Sequence, residues 1–245
     1  MSLGLLFVSP IMIGMEQGIL SPVPTSAPAA YGSAPAQRFD PVATAELQKL
    51  MNSSIERNNT DKLKTLLNRG ADINIKNKNG YTPLMLAVSA NNIESIQLLL
   101  ARGANVHIKN SSCYTALIMA TENNRIDIVQ LLLKNGADVH IKTRSGYTAL
   151  MIAAENNRID IVQLLLDRGA DINAQNKRGV TALMIAAAKN SIDIVRLFID
   201  RGAADINAQN KSGDTAWSLA VNYHNQVIVD LLQQKMGQRQ QELQC

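Results

Sequence analysis

The sequence has few aromatic residues, few cysteines and little net charge. Aromatic residues make up 4% of the 245 residues and hydrophobic residues 46%, so a core must consist of Leu, Ile, Ala, Val and Met, as in an all-helical protein. The two cysteines, Cys113 and Cys245, are far apart along the chain and do not indicate a disulfide framework. A net charge of +4 is smaller than the basic footprint of a typical nucleic-acid-binding domain. We therefore expect neither a disulfide-rich scaffold nor a nucleic-acid partner.

The N-terminal segment has no apolar run long enough to cross a membrane. Residues 3–15 are uncharged, but this run includes Pro10 and is shorter than the about 20 residues that a spanning helix needs. No Lys or Arg precedes Arg38, although a secretory signal usually has one before its apolar run. A Pro-, Ala- and Ser-rich stretch follows. We predict that residues 1–39 are an apolar segment plus a disordered linker, with a signal, a membrane anchor in residues 1–20 and a wrong start as alternatives.

The main feature that the sequence does contain is a pattern with a period of 33 residues. Its most complete copy, residues 143–175, is TRSGYTALMIAAENNRIDIVQLLLDRGADINAQ. The turn motif of this copy, Gly146-Tyr147-Thr148, recurs as Gly80-Tyr81-Thr82, Cys113-Tyr114-Thr115, Gly179-Val180-Thr181 and Gly213-Asp214-Thr215. The last step is one residue longer because Ala203-Ala204 doubles a single alanine. A fixed period of this length indicates stacked structural repeats.

Each copy predicts two short helices joined by turns. In residues 143–175, Thr148 is placed to cap the first helix, polar Asn156 and Asn157 end it, and Gly169 follows the second. The apolar residues follow helical spacing: Leu150, Ala153 and Ala154 in the first helix, then Ile159, Val162, Leu165 and Leu166 in the second. Such short helices are marginal alone in water, so each unit must pack against its neighbours.

This pattern resembles the ankyrin repeat, whose motif is Gly-x-Thr-Pro-Leu followed by two helices and Leu-Leu-x-x-Gly-Ala-Asp. Tyr81-Thr82-Pro83-Leu84 and the segment from Leu99 to Asn105 match the motif nearly residue for residue. The other copies have alanine in place of Pro83, and the family's histidine after the leucine is absent throughout. The resemblance implies an all-α solenoid of about six stacked helix–turn–helix units with β-turn or hairpin tips.

We place an ankyrin-repeat domain at residues 40–236, followed by a polar tail at 237–245. The predicted repeats are 40–76 as an N-terminal cap, 77–109, 110–142, 143–175, 176–209, and 210–236 as a C-terminal cap. In the first repeat, Asp40-Pro41 suits a helix start, and we predict helices over 45–57 and 60–68. In the last repeat, Trp217 replaces the leucine of the other copies.

No catalytic, cofactor or metal site is predicted. His107 and His140 occupy equivalent positions of neighbouring repeats, about 8–10 Å apart, which is too far for one zinc site without further ligands. An acidic residue recurs near the start of each second helix, where its negative charge interacts favourably with the helix dipole. We therefore interpret these residues as structural and not as catalytic. These acidic residues are Glu94, Asp127, Asp160 and Asp193.

Binding is instead predicted on the turn tips and the exposed parts of the first helices, which form the concave partner-binding side in the family. The predicted partner-binding residues are Lys78, Tyr81, Tyr114, Arg144, Tyr147, Glu155, Lys177, Arg178 and Lys211. Tyrosine is enriched at interface hot spots, and a row of basic residues favours an acidic partner surface. In the alternative interpretation, the tyrosines only cover neighbouring turns and the basic residues only keep the protein soluble.

The resemblance implies a non-catalytic protein–protein interaction scaffold or adaptor, acting as a monomer, with no small-molecule substrate. The alternative is a regulator or inhibitor of a partner enzyme, including a bacterial effector that acts in a host cell. A nucleic-acid role through the basic tips would predict binding with steep salt dependence. A cytoplasmic location is favoured, and secretion or delivery into a host cell is a further alternative.

Overall fold

All regular secondary structure in the described part of the chain is α-helical. A computed structural model describes residues 39–52, 59–202 and 204–242, and within these ranges it contains helices and turns but no strand. The helices are α1 Pro41–Asn52, α2 Thr60–Asn68, α3 Pro83–Ser89, α4 Ile93–Ala101, α5 Ala116–Glu122, α6 Ile126–Lys134, α7 Ala149–Glu155, α8 Ile159–Asp167, α9 Ala182–Ala188, α10 Ile192–Asp200, α11 Ala216–Asn222 and α12 Gln226–Glu242. The all-α prediction is confirmed. Of the segment 1–39 that is predicted to be a signal, anchor or linker, residues 1–38 lie outside the described residues.

The helices stack as two layers. Each first helix from α3 to α9 packs on the first helix of the next repeat, and each from α3 to α11 packs on its own second helix. The second helices α6, α8, α10 and α12 pack in the same order in the other layer. Each repeat therefore buries its apolar faces against its neighbours, as expected of a solenoid.

Threonine side chains start the first helices, as predicted for Thr148. Its hydroxyl accepts a hydrogen bond from the Met151 N–H at 3.3 Å, and the prediction of this N-cap is confirmed. The same cap is formed by Thr82, Thr115, Thr181 and Thr215. After α7, Asn157 adopts a positive φ of 54° and turns the chain towards α8, and Gly169 with φ of 80° follows α8. The predicted polar break and the predicted C-terminal glycine are thus both observed.

Two helix boundaries differ from the sequence-based expectation. Helix α1 begins at Pro41 instead of residue 45, because the Asp40 carboxylate accepts hydrogen bonds from the backbone N–H groups of Val42 and Ala43. The predicted end of this helix at Arg57 lies outside the described residues. Helix α12 continues to Glu242 and so crosses the predicted start of the polar tail at 237. This extension is rich in Gln, Arg and Glu, which are good helix formers, and contains no proline.

Equivalent positions of successive repeats are buried in the core, except in the last repeat. The leucine at the second position of each first helix is buried in α3, α5, α7 and α9, and Phe198 is fully buried in α10. At the same position of α11, Trp217 is exposed, together with Val221 one turn later. The first helix of the last repeat, α11, therefore exposes apolar residues on the face that would pack against a further repeat.

Candidate protein-binding surface

Each turn tip is held by one side chain at its first position. The Asn77 carboxamide oxygen accepts hydrogen bonds from the backbone N–H groups of Asn79 and Tyr81, at 3.0 and 2.9 Å. Asn110, Asn176 and Asn210 form the same pair of bonds in their own tips, and the Thr143 hydroxyl forms one of them. These residues are not among the predicted site residues, although they recur in the sequence with a period of 33 or 34.

Backbone hydrogen bonds join consecutive tips. The N–H groups of Ser111, Arg144, Lys177 and Lys211 donate to the carbonyls of Asn79, Ser112, Ser145 and Arg178, at 3.1, 3.4, 3.1 and 2.9 Å respectively. Glycine makes this close approach possible, because a Cβ at Gly146 would lie 2.7 Å from the Lys177 nitrogen. The longest of these bonds, from the Arg144 N–H to the Ser112 carbonyl, belongs to the tip in which Cys113 stands at the glycine position. Cys113 adopts a positive φ of 63°.

The five predicted basic residues all lie at exposed positions of the tips. These residues, which we call the basic edge, are Lys78, Arg144, Lys177, Arg178 and Lys211. Because backbone bonds connect the tips, the basic residues follow one another along one side of the array. The guanidinium of Arg144 additionally donates to the Ser111 carbonyl and so bends towards the preceding tip.

The tips and first-helix ends of the third and fourth repeats enclose a groove of about 470 Å³. This tip groove is lined by Ser112, Tyr114, Glu122, Thr143, Arg144, Ser145, Tyr147, Ile152, Glu155 and Asn156. It brings together four of the nine predicted residues: Tyr114, Arg144, Tyr147 and Glu155. The other five predicted residues are not part of its lining. Glu122 is absent from the predicted set, although it stands one repeat before Glu155.

The three predicted tyrosines are half-buried and pack against the core. Tyr114 and Tyr147 also line the tip groove, so one part of each side chain supports the stack and another part faces the groove. Their contact with the core gives these tyrosines a structural role in the stack.

The tip groove has an acidic wall. Burial raises the pKa of the Tyr114 hydroxyl above its ordinary value, and the nearby charges of Glu122 and Glu155, with a smaller effect of Tyr81, raise that pKa further. Both glutamates are exposed, and within the described ranges neither forms a salt bridge. A carboxylate disfavours the ionised form of a neighbouring phenol. Both glutamates line the same groove as the Tyr114 ring.

Other chemistry receives no support from the described residues. Over this part of the chain, no group of three His, Cys, Asp or Glu side chains could hold a metal ion. His107 and His140 are exposed residues of their turns. The recurring acidic residues Glu94, Asp127, Asp160 and Asp193 lie in the first turns of α4, α6, α8 and α10, as predicted. No helix within the described ranges has the length and apolar character needed to cross a membrane.

Comparison with known protein families agrees with this architecture. A family model described as ankyrin repeats in three copies matches residues 50–143, 114–176 and 150–242, which together cover most of the chain. No curated protein matches the chain significantly. Ankyrin repeats are generally protein–protein interaction modules and are typically non-catalytic. The repeat period, the two-layer helix stack and the family match together establish that the chain belongs to the ankyrin-repeat family.

Proposed function

We propose that this chain is a non-catalytic adaptor that binds a partner protein through the tip groove and the adjoining basic edge. The observation that carries this proposal is the meeting of Tyr114, Tyr147, Arg144 and Glu155 in one groove. Tyrosine and arginine are among the residue types enriched at interface hot spots, which cluster in well-packed pockets. We propose that the chain acts as a monomer.

The positive charge of the basic edge favours a partner with an acidic surface. Lys177, Arg178 and Lys211 are exposed on consecutive tips, where they can attract acidic residues without rearrangement of the backbone. Charge complementarity of this kind mainly increases the association rate and the salt sensitivity of binding. We therefore expect partner association to slow as salt concentration rises.

The proposal is tested by affinity capture with the full chain, followed by binding measurements with the purified captured partner. A variant in which Tyr81, Tyr114 and Tyr147 are all replaced by alanine should lose partner binding. Because these tyrosines pack against the core, each replacement should also cost about 1 kcal/mol of stability. A Tyr114→Phe/Tyr147→Phe variant keeps the packing and removes only the hydroxyl groups, so it separates lost contacts from lost stability.

The matched control changes Gln97, Gln130 and Gln163 to alanine on the second helices of the same three repeats. This control should bind the partner as the unchanged chain does. The proposal would be wrong if the variant with alanine at positions 81, 114 and 147 folds and binds the partner as the unchanged chain does. An enzymatic assay of the captured partner, with and without the chain, decides between an adaptor and a regulator, and binding to generic duplex DNA at low salt tests the nucleic-acid alternative.

A further inference from the structure

The acidic wall of the tip groove is specific to two repeats. Glu122 and Glu155 are the last residues of α5 and α7. The equivalent last residues of α3, α9 and α11 are Ser89, Ala188 and Asn222, none of which is charged. A structural requirement of the stack would apply to every repeat, so stacking does not explain the two glutamates.

The charges that line the tip groove do not balance. Glu122 and Glu155 contribute two negative charges and Arg144 contributes one positive charge, which leaves a net charge of −1. The Arg144 guanidinium donates to the Ser111 carbonyl, and in the part of the chain that the structure describes it forms no salt bridge with either glutamate. The groove therefore offers two carboxylates to a cationic group from outside.

We propose that the tip groove binds one arginine side chain of the partner protein, an inference that rests on the proposed function. Tyr114, Tyr147, Glu122 and Glu155 line the same groove. A guanidinium is planar, stacks on aromatic faces and has five N–H donors, so its chemistry suits both the tyrosine rings and the carboxylates of this lining. The buried side chain of Ile152 lines the groove and can pack against the methylene groups of the arginine.

The neighbouring basic edge restricts which arginine can enter. Lys177 and Arg178 are exposed on the tip that follows the groove, and an isolated cation would be repelled by them. An arginine flanked by aspartate or glutamate satisfies both regions, because the arginine meets the acidic wall and the flanking carboxylates meet the basic edge. The partner segment is therefore expected to alternate acidic residues with one arginine.

The first experiment titrates the ¹⁵N-labelled full chain with the peptide acetyl-Asp-Arg-Asp-amide and records amide NMR shifts. The matched peptide contains citrulline, which has nearly the same shape as arginine but no charge. We expect saturable shifts at Ser112, Tyr114, Ser145 and Tyr147, and affinity about tenfold lower for the citrulline peptide because charge-assisted hydrogen bonds are lost. Equal affinity for the two peptides would overturn the proposal, and equal affinity for a lysine peptide would overturn the preference for guanidinium.

The second experiment changes the protein. Glu122→Gln/Glu155→Gln should abolish the difference between the arginine and citrulline peptides. The control, Asp127→Asn/Asp160→Asn, removes two exposed acidic charges from the same two repeats outside the groove and should keep that difference. Glutamine variants that still prefer arginine would refute the acidic wall as its binding site.

The outcomes separate this inference from the proposed function. If partner capture depends on the tyrosines but no peptide binds the groove, only the arginine inference fails. If the arginine peptide binds as expected but partner capture does not depend on the tyrosines, only the adaptor surface is wrong.

Discussion

The fourth repeat and the last repeat share a backbone design but differ in their neighbours. In the fourth repeat, Leu150 is 1% exposed and Ala154 is fully buried. At the same positions of the last repeat, Trp217 is 38% exposed and Val221 is 40% exposed. Burial at these positions is therefore only partial without a following repeat, and the next repeat completes it.

The tip glycines show the same contrast. Gly146 and Gly213 both have positive φ values, 86° and 82°. A Cβ at Gly146 would lie 2.7 Å from the Lys177 nitrogen, whereas a Cβ at Gly213 would have nothing within 4 Å. Gly146 therefore serves both conformation and close approach, whereas Gly213 serves only conformation. The inner tip that has Cys113 instead of glycine forms the longest bond to its neighbour, at 3.4 Å.

The largest expected effect comes from placing a charge at the stacking face. Ala154→Asp should destabilise the chain by about 3 kcal/mol or more, because the carboxylate would be buried without a partner. Val221→Asp, at the same position of the last repeat, should cost about 1 kcal/mol or less, since water can reach the charge. Urea denaturation followed by far-UV circular dichroism measures both. Equal destabilisation would contradict the view that the neighbour determines burial.

A smaller effect is expected when the tip glycines are changed. Gly213→Ala should cost about 1 kcal/mol for holding a side chain at positive φ. Gly146→Ala should cost about 2 kcal/mol or more, because the added Cβ also forces the Lys177 backbone away from the Ser145 carbonyl. The same denaturation measurement checks the two values, and hydrogen exchange of the Lys177 amide should become faster only in the Gly146 variant.

Cys113→Gly should stabilise the chain by about 0.5–1 kcal/mol. The replacement removes a side chain from a residue with φ of 63°, and the greater freedom of glycine in the unfolded chain offsets part of the gain. We also expect the bond from the Arg144 N–H to the Ser112 carbonyl, now 3.4 Å, to shorten towards the length at the other tips. A lower urea midpoint for this variant would show that the tip tolerates Cys113 without strain.

The smallest expected effect concerns the charge that distinguishes the third and fourth repeats from the last one, where Asn222 stands in place of Glu155. Glu122→Gln/Glu155→Gln should lower the raised pKa of Tyr114, while burial keeps that pKa above its ordinary value. NMR of labelled tyrosine rings during a titration to high pH measures the change. A pKa of Tyr114 that does not move would mean that the glutamates lie too far from the ring.

The same pKa direction sets a pH dependence of stability. The pKa of Tyr114 is higher in the folded chain than the ordinary value of about 10 that applies when the chain is unfolded. Its contribution to stability is therefore fully present below about pH 10 and is lost as the pH rises through the folded-state pKa. The glutamine variant should lose less stability over this alkaline range than the unchanged chain.

Most of the fold could be predicted from the sequence because packing repeats the same residues at the same spacing. Thr148, Asn157 and Gly169 each perform a local task that depends on near neighbours in the chain, so their positions indicate helix starts and ends directly. The error at α1 has a local cause as well, because Asp40 was identified as a cap but the helix was begun at residue 45.

The candidate site was only partly predictable because it joins side chains from two repeats. Tyr114, Arg144, Tyr147 and Glu155 were accessible to sequence reasoning as members of periodic rows. Their enclosure of a groove with Glu122 depends on the side-chain positions of the third and fourth repeats together. The exposure of Trp217 is also a property of the assembled stack, since the sequence alone shows only a large apolar residue in place of leucine.

The bonds between tips have a consequence for how this family member can evolve. Each connection from Ser145 to Lys177, or from Arg178 to Lys211, joins main-chain atoms and places no demand on the exposed side chains beside it. Mutations at those side chains can therefore alter partner preference one residue at a time while the mechanical connection between repeats is inherited unchanged. Side-chain variation and repeat stacking therefore involve different atoms of the same tips, so the exposed surface can change while the scaffold is kept.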